Sequence, residues 1–321
     1  MSNERKPDER VSLYFNLTNA CNSACIFCAS NSQAVVRHDI PTESVRAAFA
    51  RFNIGCGDEI SLNGGEPTIH PGLATIIWEG VKSGAQVTLF TNARSLRRFE
   101  DACKVLREGI YRVSIPIHGC TAATHDRMTC RPGSLEQTLD GIRNVFALRK
   151  QTGFPRQIEL KLLAIRPILP EWPDIIDLIV NNLGRPDRFL LSGLIISKSV
   201  QARRDELIPS LDELRSYVND ALRRLQQWNV QSLLWSIPLC VLDNDNQAAL
   251  QHTVFDAKPS SALGFREIYF DPYYPDGIEL RLEKSVSGSE PCGKCPLADM
   301  CKVEMPFFAE VLAATSRRKT A

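Results

Sequence analysis

Cys21, Cys25 and Cys28 stand in the run NACNSACIFC with the spacing CxxxCxxC. Thiolates this close together hold soft metals, and an iron–sulfur cubane takes four of them. Three from the protein leave one iron open to an outside ligand, as a catalytic centre requires. A zinc knuckle is the other reading, although zinc sites favour paired Cys/His motifs with a fourth ligand close by. The nearest histidine, His38, lies ten residues beyond Cys28. Further along, Cys292, Cys295 and Cys301 form CxxCxxxxxC, and Cys240 precedes them in SIPLC. These four thiols are a full set for one closed cluster or for a structural zinc ion. Cys56, Cys103, Cys120 and Cys130 have no partner spacing. Cys103 lies in a helical pattern and reads as packing.

The elements that must position these thiols alternate along the chain. Strand-like runs cover residues 11–17, 59–62, 87–90, 111–117, 158–165 and 188–196. Helix-like runs cover 42–52, 71–82, 95–107, 134–150, 171–182 and 210–228. Pro41-Thr42-Glu43 and Pro209-Ser210 mark helix starts. Strands separated by helices imply right-handed βαβ units and a parallel sheet. The expected fold class is α/β, a partial (β/α)6 TIM-like barrel whose chemistry sits at the C-terminal ends of the strands. Past Trp228 the rhythm breaks into short runs between Pro, Gly, Asp and Asn. The expected division is a tail over 1–10, the barrel over 11–228, and a smaller cysteine-rich auxiliary-cluster domain over 229–321.

The first cysteine run follows the first strand and has Phe27 before its third cysteine. Asn63-Gly64-Gly65-Glu66-Pro67 follows the second strand. In both features the sequence resembles the radical S-adenosylmethionine (SAM) superfamily, over about residues 11–225. The resemblance implies a [4Fe–4S] cluster on Cys21, Cys25 and Cys28. It also implies a SAM site formed by Phe27, Gly64, Gly65, Glu66 and Pro67, with Gly64–Glu66 on the methionine amino group. Thr91-Asn92 resembles the family's TNG element, with Ala93 departing from the glycine. Ser114 corresponds to a serine near SAM, and Arg127 or Arg131 to an arginine on its carboxylate. No clear adenine motif stands in 162–167. Cys240, Cys292, Cys295 and Cys301 resemble the auxiliary domains of SPASM and twitch type, here with one auxiliary [4Fe–4S] cluster.

Such an enzyme draws an electron from a flavodoxin- or ferredoxin-type donor and abstracts hydrogen from an unactivated C–H bond. Relatives with auxiliary clusters mature ribosomal peptides by cross-linking, thioether formation or epimerisation. Others epimerise or dehydrogenate sugars and aminoglycosides. A barrel starting near residue 11 leaves no room for a leader-binding domain, which favours a small molecule or a separately delivered peptide. The auxiliary cysteines resemble those of peptide modifiers, and the reading leans to a peptide. Cys120, just past the fourth strand, is the candidate hydrogen-atom donor, with Cys130 second; an inert small side chain is the commoner role. Arg203-Arg204 beyond the sixth strand is a candidate to meet an anionic substrate or SAM, with a solvated loop the commoner role. A non-enzymatic iron–sulfur or zinc protein is the contrasting class, but it needs neither the GGEP run nor six βα units.

Lys+Arg number 38 and Asp+Glu 37, so no net charge draws the chain to nucleic acid or to a membrane surface. The first residues, MSNERKPDER, lack the apolar stretch of a signal peptide. A cytoplasmic protein is expected.

Overall fold

The computed structural model describes residues 9–29, 36–106, 109–248, 265–272 and 274–279, with Cys301, Ala309 and Val311. Its strands are β1 (Arg10–Asn16), β2 (Glu59–Asn63), β3 (Gln86–Phe90), β4 (Arg112–Ile117), β5 (Gln157–Leu163), β6 (Arg188–Ser192), β7 (Gln231–Trp235), β8 (Phe265–Asp271) and β9 (Tyr274–Glu279). They form one sheet in the order β7-β6-β5-β4-β3-β2-β1-β8-β9. β1 to β8 pair in parallel and β9 returns antiparallel to β8. The connecting helices are α1 (Thr42–Arg51), α2 (Leu73–Lys82), α3 (Phe99–Leu106), α4 (Ala122–Thr129), α5 (Ser134–Thr152), α6 (Trp172–Asn182), α7 (Lys198–Ala202), α8 (Arg204–Leu207) and α9 (Leu211–Gln227). This is a partial, open TIM-like barrel. No helix among the described residues is long and apolar enough to cross a membrane.

Two faces of the sheet carry opposite chemistry. Leu13, Ile60, Leu89, Ile115, Leu160 and Leu191 are fully buried. Each contributes roughly 1.5–3 kcal/mol when removed from water. The alternate positions carry polar groups: Tyr14 pairs with Ser61, Ser61 with Thr88, Ser114 with Glu159 and Glu159 with Arg188. Buried polar groups need partners, and Ser114, Glu159 and Arg188 supply them to one another. Ser114 Oγ donates to Glu159 Oε1 at 2.6 Å, and Arg188 Nε donates to Glu159 Oε2 at 2.6 Å.

The predicted start at Ser210 is a capping box. Ser210 Oγ accepts from Glu213 N, and the Glu213 carboxylate accepts from Ser210 N at 2.7 Å. Three features differ from expectation. Among the described residues the parallel strands number eight rather than six. β7 and β8, within residues assigned to the smaller C-terminal part, extend the barrel on β6 and β1. β8 pairs with a strand at the other end of the sequence, Ser12 with Glu267, so no local βαβ pattern marks it. Helix α4 occupies AATHDRMT, too short and polar to show an apolar stripe; Thr121 caps it by accepting from Thr124 N.

Phe270 is 2% exposed and stacks on Phe15 with ring centroids 4.6 Å apart. Truncating a buried aromatic costs about 3–5 kcal/mol. Phe270→Ala should therefore lower the midpoint of the main denaturation transition. A main transition left in place, with only a minor early phase added, would show that β8 folds apart from the barrel.

Candidate active site

The loop that carries the three cysteines leaves β1 and lies directly on the turn after β2. Leu17 N donates to Asn63 O at 2.9 Å, Gly65 N to Thr18 O at 2.7 Å and Glu66 N to Ala20 O at 2.8 Å. Backbone packed on backbone leaves no room for side chains. A Cβ on Gly65 would sit 2.0 Å from Ala20 O, and one on Gly64 2.5 Å from Thr18 O. Gly64 also has φ +134°, a conformation that favours glycine.

Glu66 is 1% exposed, and its carboxylate is fully engaged. Oε1 accepts from Thr68 N at 3.1 Å, Thr68 Oγ1 at 2.6 Å and Thr91 Oγ1 at 2.6 Å. Oε2 accepts from Asn92 N at 2.8 Å. Burial raises its pKa and these hydrogen bonds oppose the rise. The carboxylate thus ties the end of β2 to the end of β3.

That tie extends to the cysteine loop. Asn92 Nδ2 donates to Asn22 Oδ1 at 2.7 Å and lies 3.9 Å from Cys21 Sγ. Arg94 donates to Ser23 Oγ at 3.0 Å and to Asn22 O, and Arg131 Nε donates to the same carbonyl at 3.2 Å. On the other side, Ala24 N donates to Thr129 O and Ile26 N to Met128 O, so α4 holds the loop's middle. Ser199 Oγ donates to Cys28 O at 3.2 Å.

Cys21, Cys25 and Cys28 line one cavity with Phe27, Gly64, Gly65, Glu66, Thr91, Asn92 and Ser114. Its volume is about 280 Å³. It lies at the C-terminal ends of the strands, where Asn63, Phe90, Pro116, Leu163 and Trp235 also face it. Pro67 is buried just behind, as the first residue of a 3-10 turn.

Other expected residues lie elsewhere. Arg127 is exposed, 3.9 Å from Glu206, and Arg131 is exposed on the loop's outer side. Neither reaches the cavity wall. Cys120 also lies off that wall. Its Sγ donates to Glu171 Oε2 at 3.1 Å, and burial, then Glu171, pushes the thiol up to about 12. Cys130 is exposed, and Arg203 pairs with Glu206. Cys301 Sγ accepts from Leu239 N at 3.5 Å, which places Cys301 beside Cys240. Cys292 and Cys295 lie outside the described residues.

The cavity also presents His118, Lys161 and Trp235, which no motif marked. Inward alternation along β4 and β5 (114, 116, 118 and 159, 161, 163) is the signal that finds the first two.

Burial pushes the Cys25 thiol up to about 12 and the Cys21 thiol up to about 11. Neighbouring thiols add to the rise at Cys25. A positive charge beside Cys21 and Cys25 opposes that rise, and a bound metal supplies one. No group of three or more His, Cys, Asp or Glu among the described residues is gathered tightly enough for a single ion. Three thiols sharing one cavity wall fit a polynuclear sulfur-ligated cluster.

Residues 15–154 match the profile of the Radical SAM superfamily. An AdoMet-dependent heme synthase of Methanosarcina barkeri is 35% identical over 145 residues, 45% of this chain and 40% of that protein. A GTP 3',8-cyclase of Peptoclostridium acidaminophilum is 31% identical over 137 residues, 41% of each. The chain thus spans about two fifths of the length of the curated relatives it matches. Streptococcus suis SuiB bound to S-adenosylmethionine superposes with a TM-score of 0.60 at 13% identity, over 92% of this chain and 72% of that one. SuiB bound to its precursor peptide SuiA gives 0.57 at 12% identity, over 91% and 66%. At these identities the structural likeness is one of fold.

Two outcomes follow from this geometry. Gly65→Ala should displace the cysteine loop, so that iron bound per chain after anaerobic reconstitution falls at least fivefold. Retention of wild-type iron would show that the contact is dispensable. In metal-free protein, alkylation of Cys25 by iodoacetamide should still be accelerating between pH 9 and 11, because a raised pKa leaves the thiol protonated there. A plateau by pH 9, followed by mass spectrometry, would contradict the burial.

Proposed function

The chain carries a radical SAM domain over residues 15–154, and from that premise we propose that it abstracts hydrogen from an unactivated C–H bond of a peptide substrate. In this reading Cys21, Cys25 and Cys28 hold a [4Fe–4S] cluster, and the turn Gly64–Glu66 receives the methionine end of SAM. The observation that carries the reading is that the three thiols and this turn share one cavity, with their backbones hydrogen-bonded together. When bound, the cluster and SAM supply an electron and a 5′-deoxyadenosyl radical.

The chain's own residues position and shield. Gly64 and Gly65 present bare backbone at the cavity wall, where a close ligand meets peptide groups and no side chains. Glu66 fixes Thr91 and Asn92. Asn92 in turn fixes Asn22 beside Cys21. Phe27 packs edge-on to His118, centroids 4.8 Å apart, and both rings line the cavity. A flavodoxin- or ferredoxin-type protein is the proposed electron donor. The approach of Cys301 to residue 239 supports one auxiliary [4Fe–4S] cluster on Cys240, Cys292, Cys295 and Cys301.

The peptide is supported by the fold shared with SuiB, which is solved with a precursor peptide bound. A second reading, a small-molecule substrate, is supported by sequence likeness to the heme synthase and the GTP cyclase. Anaerobically reconstituted protein given dithionite and SAM should release 5′-deoxyadenosine. Cys21→Ala should lower that release at least 100-fold. Release that persists in Cys21→Ala would remove the assignment.

A further inference from the structure

Two guanidinium groups close on a single carbonyl, that of Asn22 between Cys21 and Cys25. Arg94 donates to Asn22 O and, at 3.0 Å, to Ser23 Oγ. Arg131 Nε donates to the same carbonyl at 3.2 Å. Arg94 is held from behind as well, because Gln137 of α5 accepts from its Nε at 2.9 Å. Its backbone is fixed too. Arg94 N donates to Asn92 Oδ1 at 3.0 Å, and α5 lies so close that a Cβ on Gly141 would sit 2.2 Å from Ala93 O. Arg94 is half-buried and Arg131 exposed. Among the described residues every group that accepts from them is neutral: a peptide carbonyl, a hydroxyl and a side-chain amide. A half-buried cation with neutral partners alone is costly, and an anion on the cysteine side would complete it. Burial first, then Arg131, lower the Arg94 pKa, while Cys21 and Cys25 raise it. The guanidinium keeps its charge throughout.

We propose that Arg94 is a positioning residue for the metal centre and that its fixed charge raises the centre's reduction potential. The inference rests on reading Cys21, Cys25 and Cys28 as ligands of a [4Fe–4S] cluster, and it adds a residue that governs the electron step. Thiolates make such a cluster net negative, and the one electron taken from the donor makes it more so. A cation held beside the first two ligands therefore favours the reduced form over the oxidised one. Potentials of iron–sulfur clusters respond to nearby charge and hydrogen bonds in this way. The Arg94 charge acts partly through protein, where screening is weaker than in bulk water. Arg131 adds less, because it is exposed and salt screens it. A neutral side chain could make the same hydrogen bonds to Asn22 and Ser23. The tie alone does not call for a guanidinium, whereas charge beside a thiolate-ligated cluster does.

The test uses anaerobically reconstituted full-length protein, poised against viologen dyes. It is read by electron paramagnetic resonance at the signal that changes when SAM is added. Gln137→Glu sets a carboxylate on Arg94 Nε, which offsets the cation while every donor to the cysteine loop stays. Iron per chain should match the wild type. At the poise where the wild-type centre is half reduced, the ratio of reduced to oxidised should fall at least threefold, about 28 mV for one electron. Arg94→Gln keeps a donor and loses the charge, and its ratio should fall at least as far. Arg94→Lys keeps the charge and should stay within twofold of the wild type. A purely structural tie predicts the reverse, with Gln137→Glu unmoved. A wild-type ratio in Gln137→Glu would overturn the inference. Iron lost from Gln137→Glu would overturn it as well, because the pair then holds the loop and does not tune it. A wild type with no SAM-responsive signal and no 5′-deoxyadenosine removes the radical SAM reading itself. A signal that is present with unmoved ratios removes this inference alone.

Discussion

Everything at this site depends on one contact between two stretches of main chain. The cysteine loop lies on the Gly64-Gly65 turn with donors and acceptors paired, at distances that forbid a Cβ. That contact sets where the cysteine loop begins, and α4 and Ser199 hold the rest of it. It also explains the glycine pair without reference to any ligand. A turn that is only permissive would tolerate alanine where φ is negative. A turn onto which another backbone is docked does not.

The barrel serves the contact by dividing labour between its faces. Apolar side chains on the outer face are buried, as a parallel sheet requires. The inner face carries Ser, Thr, Glu, Lys and Arg, which would destabilise a closed, packed barrel. Here the inner charges lock to one another across neighbouring strands, as Ser114, Glu159 and Arg188 do. The open space above them is left for a ligand. The sheet can carry a polar interior because its stability comes from the other side.

The cysteine spacing and the GGEP run were legible because both are local: consecutive residues whose types state their chemistry. Six strands and most helices were legible for the same reason, since period-two and helical patterns are short-range. What was not legible depends on distant pairing. β8 joins β1 across nearly the whole described chain, and Trp235 reaches the cavity only because β7 joins β6. The internal role of Glu66 was not legible: the four hydrogen bonds on its carboxylate come from residues 68, 91 and 92, which only the folded barrel brings together. Cys120 was placed by its position after β4, but the carboxylate that captures its thiol lies on Glu171, ahead of α6.

These observations converge on how charge is distributed in the cavity. Its carboxylate is held by hydrogen bonds from Thr68, Thr91 and Asn92, and burial raises the pKa of the Cys21 and Cys25 thiols. On the same cavity wall the Lys161 ammonium lies over the Trp235 indole ring. Deprotonating thiols around a bound metal would place negative charge on this wall, where burial weakens screening by water. The positive charge of the metal must then offset it, so thiol ionisation and metal binding at this loop are coupled.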